Sequence, residues 1–443
     1  MPTHLFIVAN LSLSLLTFSI LTVATSTTNI SIEIQSNGNP NYSPSNTNIN
    51  NMYNNNNNPS SISLSKYYLS TEAIFQQRPV KELKSNYDVR ALNQIEKTMQ
   101  RQQHELAEQL ARRCLQKCSI AAYGEAGSML GDALFEQDKI EESVAMKVLA
   151  LPYKEPVHGR DLRLEMNQYL LCLFRLGFSE AYQHVFQIVA GHAKWVHPFQ
   201  ISIGAGWIEG IDQGLPLPFY DNQGFKVARQ LEDIYPIIYS ELSELLNGNK
   251  KYEPGIENLF TTHQESHLVG TGEWQEIRLC NMFKGLWSKE RCALLPRTCH
   301  ALQKIAAFTV RIVKNKGPPM RTEGVPGRLS ILRLIPGTKL KPHTGAVNMR
   351  LSIHMGLNVP PHNASWISCG NVTKHWKAGK SLIFDDSFVH YVGNEHLTKS
   401  RIVLAGHFFK RDMCVRNKCV IPRVVEYGTL NEAMDSVHDG GNL

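Results

Sequence analysis

The stretch KPHTGAVNMRLSIHMGL, residues 341–357, decides how this chain is read. If His343 bound a metal, a carboxylate two residues on would be the expected second ligand, but position 345 is Gly. Beyond it the sequence alternates. Met349, Leu351, Ile353 and Met355 point to one side of an extended chain, and Arg350, Ser352 and His354 to the other. That pattern fits an ordinary strand with one apolar and one solvated face, in which the histidines are incidental. It fits equally a strand whose polar face lines a site.

Working outward, short alternating runs at 328–335, 348–357, 380–384, 388–392 and 401–409 are separated by Pro, Gly and Asn. So many short strands so close together suggest a sandwich or barrel, most simply a jelly roll. In RIVLAGHFF, Arg401, Val403, Ala405 and His407 share a face. A buried Arg401 would then need an anionic partner. The pair Asp385-Asp386 reads as a turn that delivers His390 onto the next strand. Jelly-roll oxygenases commonly hold Fe(II) with two histidines and one carboxylate, and losing the carboxylate frees one more position for water or substrate. Spacing alone leaves a metal site and a plain strand both open.

Upstream, the grammar is different. The 443 residues suggest two or three domains. EKTMQRQQHELAEQLARRCLQK has helical spacing, and AGSMLGDALFEQDKIEESVAMKVLAL breaks near Gln137-Asp138 into two helices. MNQYLLCLFRLGFSEAYQHVFQIVA repeats that shape. The expectation over 90–210 is a tetratricopeptide-like helical-repeat domain, with an irregular helical bundle as the alternative. LPLPFYD, residues 215–221, marks a boundary, and a helix is expected over 224–246. A second domain follows over 213–420, then a tail over 421–443.

Residues 5–24 form an apolar run, read as a signal peptide or signal-anchor within 1–26. An Asn/Ser-rich spacer follows over 27–63. Either form of the leader directs the rest to the secretory pathway, and an anchor would attach the chain to the membrane. Sequons at Asn29, Asn41, Asn363 and Asn371 agree with that. The formal charge of +7 comes with no Lys/Arg run, so no nucleic-acid partner is expected. Nine cysteines, an odd number, leave at least one free or paired between molecules. Cys414 and Cys419 are one candidate pair.

PGTKLKPHTGAVNMRLSIHMGL and WKAGKSLIFDDSFVHYVGNE, with GEWQEIRLCNMFKG, CALLPRTC and LPLPFYDNQGF, together resemble the aspartyl/asparaginyl β-hydroxylase family over about 213–410. The resemblance implies a double-stranded β-helix oxygenase using Fe(II), O2 and 2-oxoglutarate. It would hydroxylate the β-carbon of Asp or Asn in a polypeptide such as an EGF-like domain, in the lumen or membrane of the endoplasmic reticulum. In that family His-Thr-Gly lacks the usual carboxylate, so Gly345 does not imply a dead site. His343 and His390 would bind iron, Arg401 would pair with the distal carboxylate of 2-oxoglutarate, and His354 would help hold it. Arg350 would face the substrate carboxylate, Trp274 would form a pocket wall, and Cys292 and Cys299 would be disulfide-bonded, shaping a loop near Trp274.

The chain departs from the family at Ser352, where a second Arg is expected, and at Leu332, where a cosubstrate-binding Ser is expected. Ser330 is positioned to substitute for the latter. The departures keep two other readings in play: a non-catalytic helical adaptor with a degenerate oxygenase fold, and a hydroxylase of a lipid or small molecule. The helical repeats favour a polypeptide, which such concave surfaces usually grip.

Overall fold

The computed structural model describes residues 84–153, 159–204, 216–247, 259–282, 285–308, 311–313, 321–323, 327–410, 414–415 and 418–419. The expected leader, spacer and tail lie outside these residues.

The N-terminal region is helical: α1 (Asn86–Gln100), α2 (His104–Lys117), α3 (Ile120–Glu136), α4 (Ile140–Ala150), α5 (Gly159–Arg175) and α6 (Ser179–Ala193). At the start of α1, Ser85 and Asp88 form a reciprocal capping box, and Asp88 also accepts from the backbone N and Oγ of Ser119 at 3.0 and 2.7 Å. One carboxylate thus ties together the starts of two helices. The break expected near Gln137 is there, with Asp138 in the left-handed region at φ 62. α3 and α5 run side by side in the same direction. Ser128 Oγ donates to Glu165 Oε1 at 2.6 Å, and the Arg175 guanidinium lies 4.4 Å above the Phe135 ring. The region is therefore a stack of helix pairs. Residues 151–158 lengthen the step between pairs beyond the roughly 34-residue tetratricopeptide period, so that more specific label is not supported.

The C-terminal region is an antiparallel sandwich flanked by α7 (Lys226–Leu246), α8 (Lys289–Leu294) and α9 (Pro296–Gln303). Its strands are β1 (Phe219–Tyr220), β2 (Thr261–Thr262), β3 (Val269–Thr271), β4 (Trp274–Asn281), β5 (Leu286–Trp287), β6 (Arg311–Val313), β7 (Arg321–Glu323), β8 (Arg328–Leu334), β9 (Thr338–Leu340), β10 (Arg350–Asn358), β11 (Ser365–Cys369), β12 (Val372–His375), β13 (Ser381–Phe384), β14 (His390–Asn394) and β15 (Arg401–Phe409). One sheet has the order β1-β13-β10-β15-β8-β4-β2, with β5 on β4, and the other β12-β11-β14-β9-β3. β8 to β15 divide evenly between the sheets, as β13-β10-β15-β8 and β12-β11-β14-β9. This is the jelly roll the turn spacing suggested.

The strand at 401–409 falls where expected, and the others shift by one or two residues. Of the two readings left open for β10, the structure shows the strand buried on both faces, with its polar side turned inward. Leu351, Ile353 and Met355 pack outward under α7, together with Ile402, Leu404 and Leu242. Arg350 and Ser352 are buried on the inner face.

Cys292 and Cys299 are bonded, but they join the short helices α8 and α9, and Cys299 belongs to the outer core. They do not line the central cavity, so the expectation of a loop shaped at a pocket mouth is corrected. A second bond, Cys114–Cys118, closes the end of α2 and was not anticipated. Cys414 and Cys419 face each other across a two-residue ladder.

Candidate active site

Strand pairing brings the two histidines of the sequence together. His343 forms an isolated bridge with His390: its backbone N donates to His390 O at 3.0 Å, and His390 N donates back at 2.8 Å. The rings lie 4.2 Å apart. Each Nδ1 sits against a backbone carbonyl two residues upstream, His343 at 2.7 Å from Lys341 O and His390 at 2.9 Å from Phe388 O. A carbonyl accepts, so each Nδ1 carries the proton and each Nε2 keeps its lone pair, the tautomer a metal requires. Burial, and the neighbouring His390, holds His343 well below the ordinary imidazole value, and burial lowers His390 as well. Both rings are neutral at pH 7, and both line one cavity of about 260 Å³ between the sheets.

The same contacts explain the glycine. Gly345 N donates to Asp386 O at 2.6 Å, and a Cβ built on Gly345 would lie 2.6 Å from Asp386 Cγ. The volume that a carboxylate at 345 would need is occupied by a carboxylate from the next turn. Asp386 accepts from Arg350 Nη2 at 2.9 Å, and His407 Nε2 is 3.5 Å away. Burial alone would raise its pKa, but Arg350 and His407 outweigh that and hold it far below the usual carboxylate range. Its Oδ1 is buried without a partner. Among the described residues no group of three or more His, Cys, Asp or Glu is arranged to hold a metal. The two imidazoles alone are the donor set, because the nearby Asp386 carboxylate is engaged by Arg350 and His407.

Arg401 is the second anchor. Its side chain is 2% exposed, and its Nε and Nη1 have no hydrogen-bond partner. The guanidinium lies 4.5 Å from the Trp376 ring. Burial drags its pKa down to about 9. His354, on the same inner face, has an unpartnered buried Nδ1 and is held neutral by burial and by Arg401. Trp274 Nε1, in the cavity wall, is likewise unpartnered. A buried cation without an acid is costly unless a ligand completes it. Four orphaned nitrogens, on Arg401, His354 and Trp274, around one cavity fit a carboxylate-bearing molecule such as 2-oxoglutarate, and two neutral imidazoles fit a divalent metal.

Two expectations change in detail. Ser330 lines the cavity, but its hydroxyl donates to the buried Glu276 at 3.2 Å rather than waiting for a ligand. Arg350 faces the cavity but is already balanced by Asp386. Sequence reading missed His263, which stacks on Trp274 at 3.4 Å between ring centroids, and it missed the helical contribution. Asn167 Nδ2 donates to Thr344 Oγ1 at 3.1 Å, and Arg175 donates to Pro342 O at 2.9 and 3.1 Å, so α5 clamps the segment that carries His343.

Residues 232–411 match the family model described as Aspartyl/Asparaginyl beta-hydroxylase. Over these residues the chain is similar to the aspartyl/asparaginyl β-hydroxylase family. The human protein named aspartyl/asparaginyl beta-hydroxylase is 34% identical over 162 residues, 35% of this chain and 19% of that protein. An ornithine lipid ester-linked acyl 2-hydroxylase from Rhizobium tropici is 31% identical over 195 residues, 44% of this chain and 60% of that protein. The chain thus spans less than two thirds of either relative. A solved 2-oxoglutarate/Fe(II) oxygenase-family oxidoreductase from Burkholderia pseudomallei aligns with 45% of this chain and 97% of its own, at 13% identity and a TM-score of 0.24, too loose a superposition to carry an argument.

Proposed function

We propose that the protein is an Fe(II)- and 2-oxoglutarate-dependent dioxygenase that hydroxylates the β-carbon of Asp or Asn in a polypeptide, with EGF-like domains as the leading candidates. The observation that carries this reading is the buried, acid-free Arg401 in the same cavity as two neutral imidazoles whose Nε2 atoms are free. Fe(II), O2 and 2-oxoglutarate, when bound, supply the oxidation of an unactivated C–H bond.

The chain's own residues do the positioning. His343 and His390 would hold the metal through Nε2, each ring fixed by its carbonyl contact. Arg401, with His354, would receive the distal carboxylate of 2-oxoglutarate as a charge-assisted pair. Asp386 keeps Oδ1 as an acceptor in the cavity wall while Arg350 and His407 hold it in place. Leu332, Ile367, Phe384, Val392 and Ala405 line the cavity between these groups, which limits water around the reacting carbon.

The helical stack supports a polypeptide substrate, because α5 is bonded to the segment carrying His343 and its side chains share the cavity wall. The Rhizobium relative favours a second reading, hydroxylation of a lipid acyl chain. We also place the protein in the secretory lumen, with or without a membrane anchor, a reading that the two disulfides support.

The test is anaerobic Fe(II) titration followed by 2-oxoglutarate turnover alone, with disulfide-bonded EGF-like peptides, and with ornithine lipid. Stimulation by the peptides supports the first reading. Stimulation by the lipid alone replaces it with the second, and a complete lack of iron-dependent turnover leaves only the adaptor reading.

A further inference from the structure

The cavity wall furthest in sequence from the histidines comes from α3 and α5. Phe135 and Glu136, at the end of α3, line it together with Gln168 and Arg175 of α5. The cations here are occupied. Arg175 donates to Pro342 O and covers the Phe135 ring, and Lys341 Nζ is 3.1 Å from Asp138. The acceptors are not. Gln168 is 7% exposed and its Oε1 is buried without a partner. Glu136 has no hydrogen bond or ion pair among the described residues, and it lies at a helix C-terminus, where the backbone dipole disfavours a carboxylate. Burial and Asp132 together push its pKa up to about 7, although Arg175, Lys341 and Lys147 pull the other way. A partly buried, unpaired acid and an orphaned amide oxygen in one cavity wall are each unfavourable in the free protein, and a bound group rich in N–H donors relieves both.

We propose that Glu136 and Gln168 form a subsite for a cationic side chain, lysine or arginine, that flanks the target residue of the substrate. The carboxylate supplies charge, the amide oxygen supplies direction, and the Phe135–Leu171 surface takes the methylene stem. The helical region then selects sequence as well as gripping the polypeptide. This rests on the polypeptide reading of the cavity.

The test uses fluorescently labelled peptides containing Asn or Asp, each made with lysine or norleucine at one flanking position. Binding to the full chain loaded with Mn(II) is followed by polarisation. For the wild type, lysine at one position is expected to tighten binding at least tenfold over norleucine. Glu136→Gln should reduce that preference to under twofold, and Glu136→Lys should reverse it, with melting curves confirming that both variants fold. The subsite is overturned if no position shows a lysine preference, or if the preference survives in both variants. Turnover of 2-oxoglutarate by the wild type is measured in parallel. Turnover without lysine preference overturns the subsite alone, whereas lysine preference without turnover supports the subsite and overturns the oxygenase reading.

Discussion

Arg350 and Arg401 are both buried, both on the inner face of one sheet and both in the wall of one cavity, yet their surroundings are opposite. Arg350 is bonded to Asp386 at 2.9 Å, and His407 lies 3.5 Å from the same carboxylate oxygen. Arg401 has no acid, two N–H groups without partners, and a pKa pulled down by burial. The contrast teaches that a buried arginine does not by itself mark a ligand site. What marks one is the missing counter-charge. Around Arg350 the fold is electrostatically complete, and around Arg401 it is complete only with an anion bound.

The sharpest ways to break this comparison begin at the metal end. His343→Ala should weaken Mn(II) or Fe(II) binding by more than about 100-fold, because only one neutral imidazole then remains. Calorimetric metal titration checks this, and unchanged affinity in a folded variant would remove both histidines from the site. Gly345→Asp should fail to act as a third ligand. Its side chain would need the volume of the Asp386 carboxyl, so the expected result is a lower melting temperature with no gain in metal affinity.

The arginines should respond with opposite signs in the free protein. Arg350→Ala strands Asp386 and should cost about 3–5 kcal/mol of stability. Arg401→Ala removes an uncompensated buried charge and should cost little or stabilise, while raising the 2-oxoglutarate requirement by the equivalent of about 2–5 kcal/mol. Urea denaturation without cosubstrate separates the two. Equal destabilisation would mean that Arg401 is structurally paired after all.

This contrast was only partly legible in the sequence. Parity put Arg350 and His354 on one face and Arg401 with His407 on another, and it did so because side-chain alternation is local to a strand. The Arg401–Phe409 strand was readable to its ends for the same reason. Asp386 was seen only as part of a turn. Its place in the space beside Gly345 depends on the bridge between His343 and His390, a pairing that no local pattern encodes. The buried polar face of β10 was equally hidden, because alternation does not reveal whether the polar side meets water or a second sheet. The helix pairs were readable from periodicity, but the contacts of Asn167 and Arg175 with the segment at 342–344 were not.

Smaller effects sharpen the picture. His263, His343, His354, His390 and His407 are all depressed, each chiefly by burial. The unfolded chain therefore takes up protons first as pH drops. Their contribution to stability is complete above the ordinary imidazole value of 6.5 and is lost progressively below it. Metal-free protein should melt at steadily lower temperature from about pH 6.5 downward. Glu136 is raised and runs the other way, losing stability as pH climbs from 4.5 to about 7, and buried Asp385 is raised too, but the five rings outnumber them. A melting temperature that is flat or rising over the acid limb would contradict the burial of neutral rings. Smallest of all, replacing Cys292 and Cys299 by Ser should cost about 2–3 kcal/mol by loop closure, and it should leave 2-oxoglutarate affinity unchanged because the bond lies on the outer face.

The central claim is that the fold holds a metal at His343 and His390 and an anion at Arg401 in one cavity. Anaerobic titration of 2-oxoglutarate into Fe(II)-loaded protein, followed through the visible absorption of the metal–cosubstrate complex, tests it directly. The account predicts saturable binding in the wild type, a curve shifted at least tenfold to higher concentration in Arg401→Ala, and no absorption change in His343→Ala. Wild-type protein that shows no change, or an Arg401→Ala curve that overlays the wild type, would contradict it.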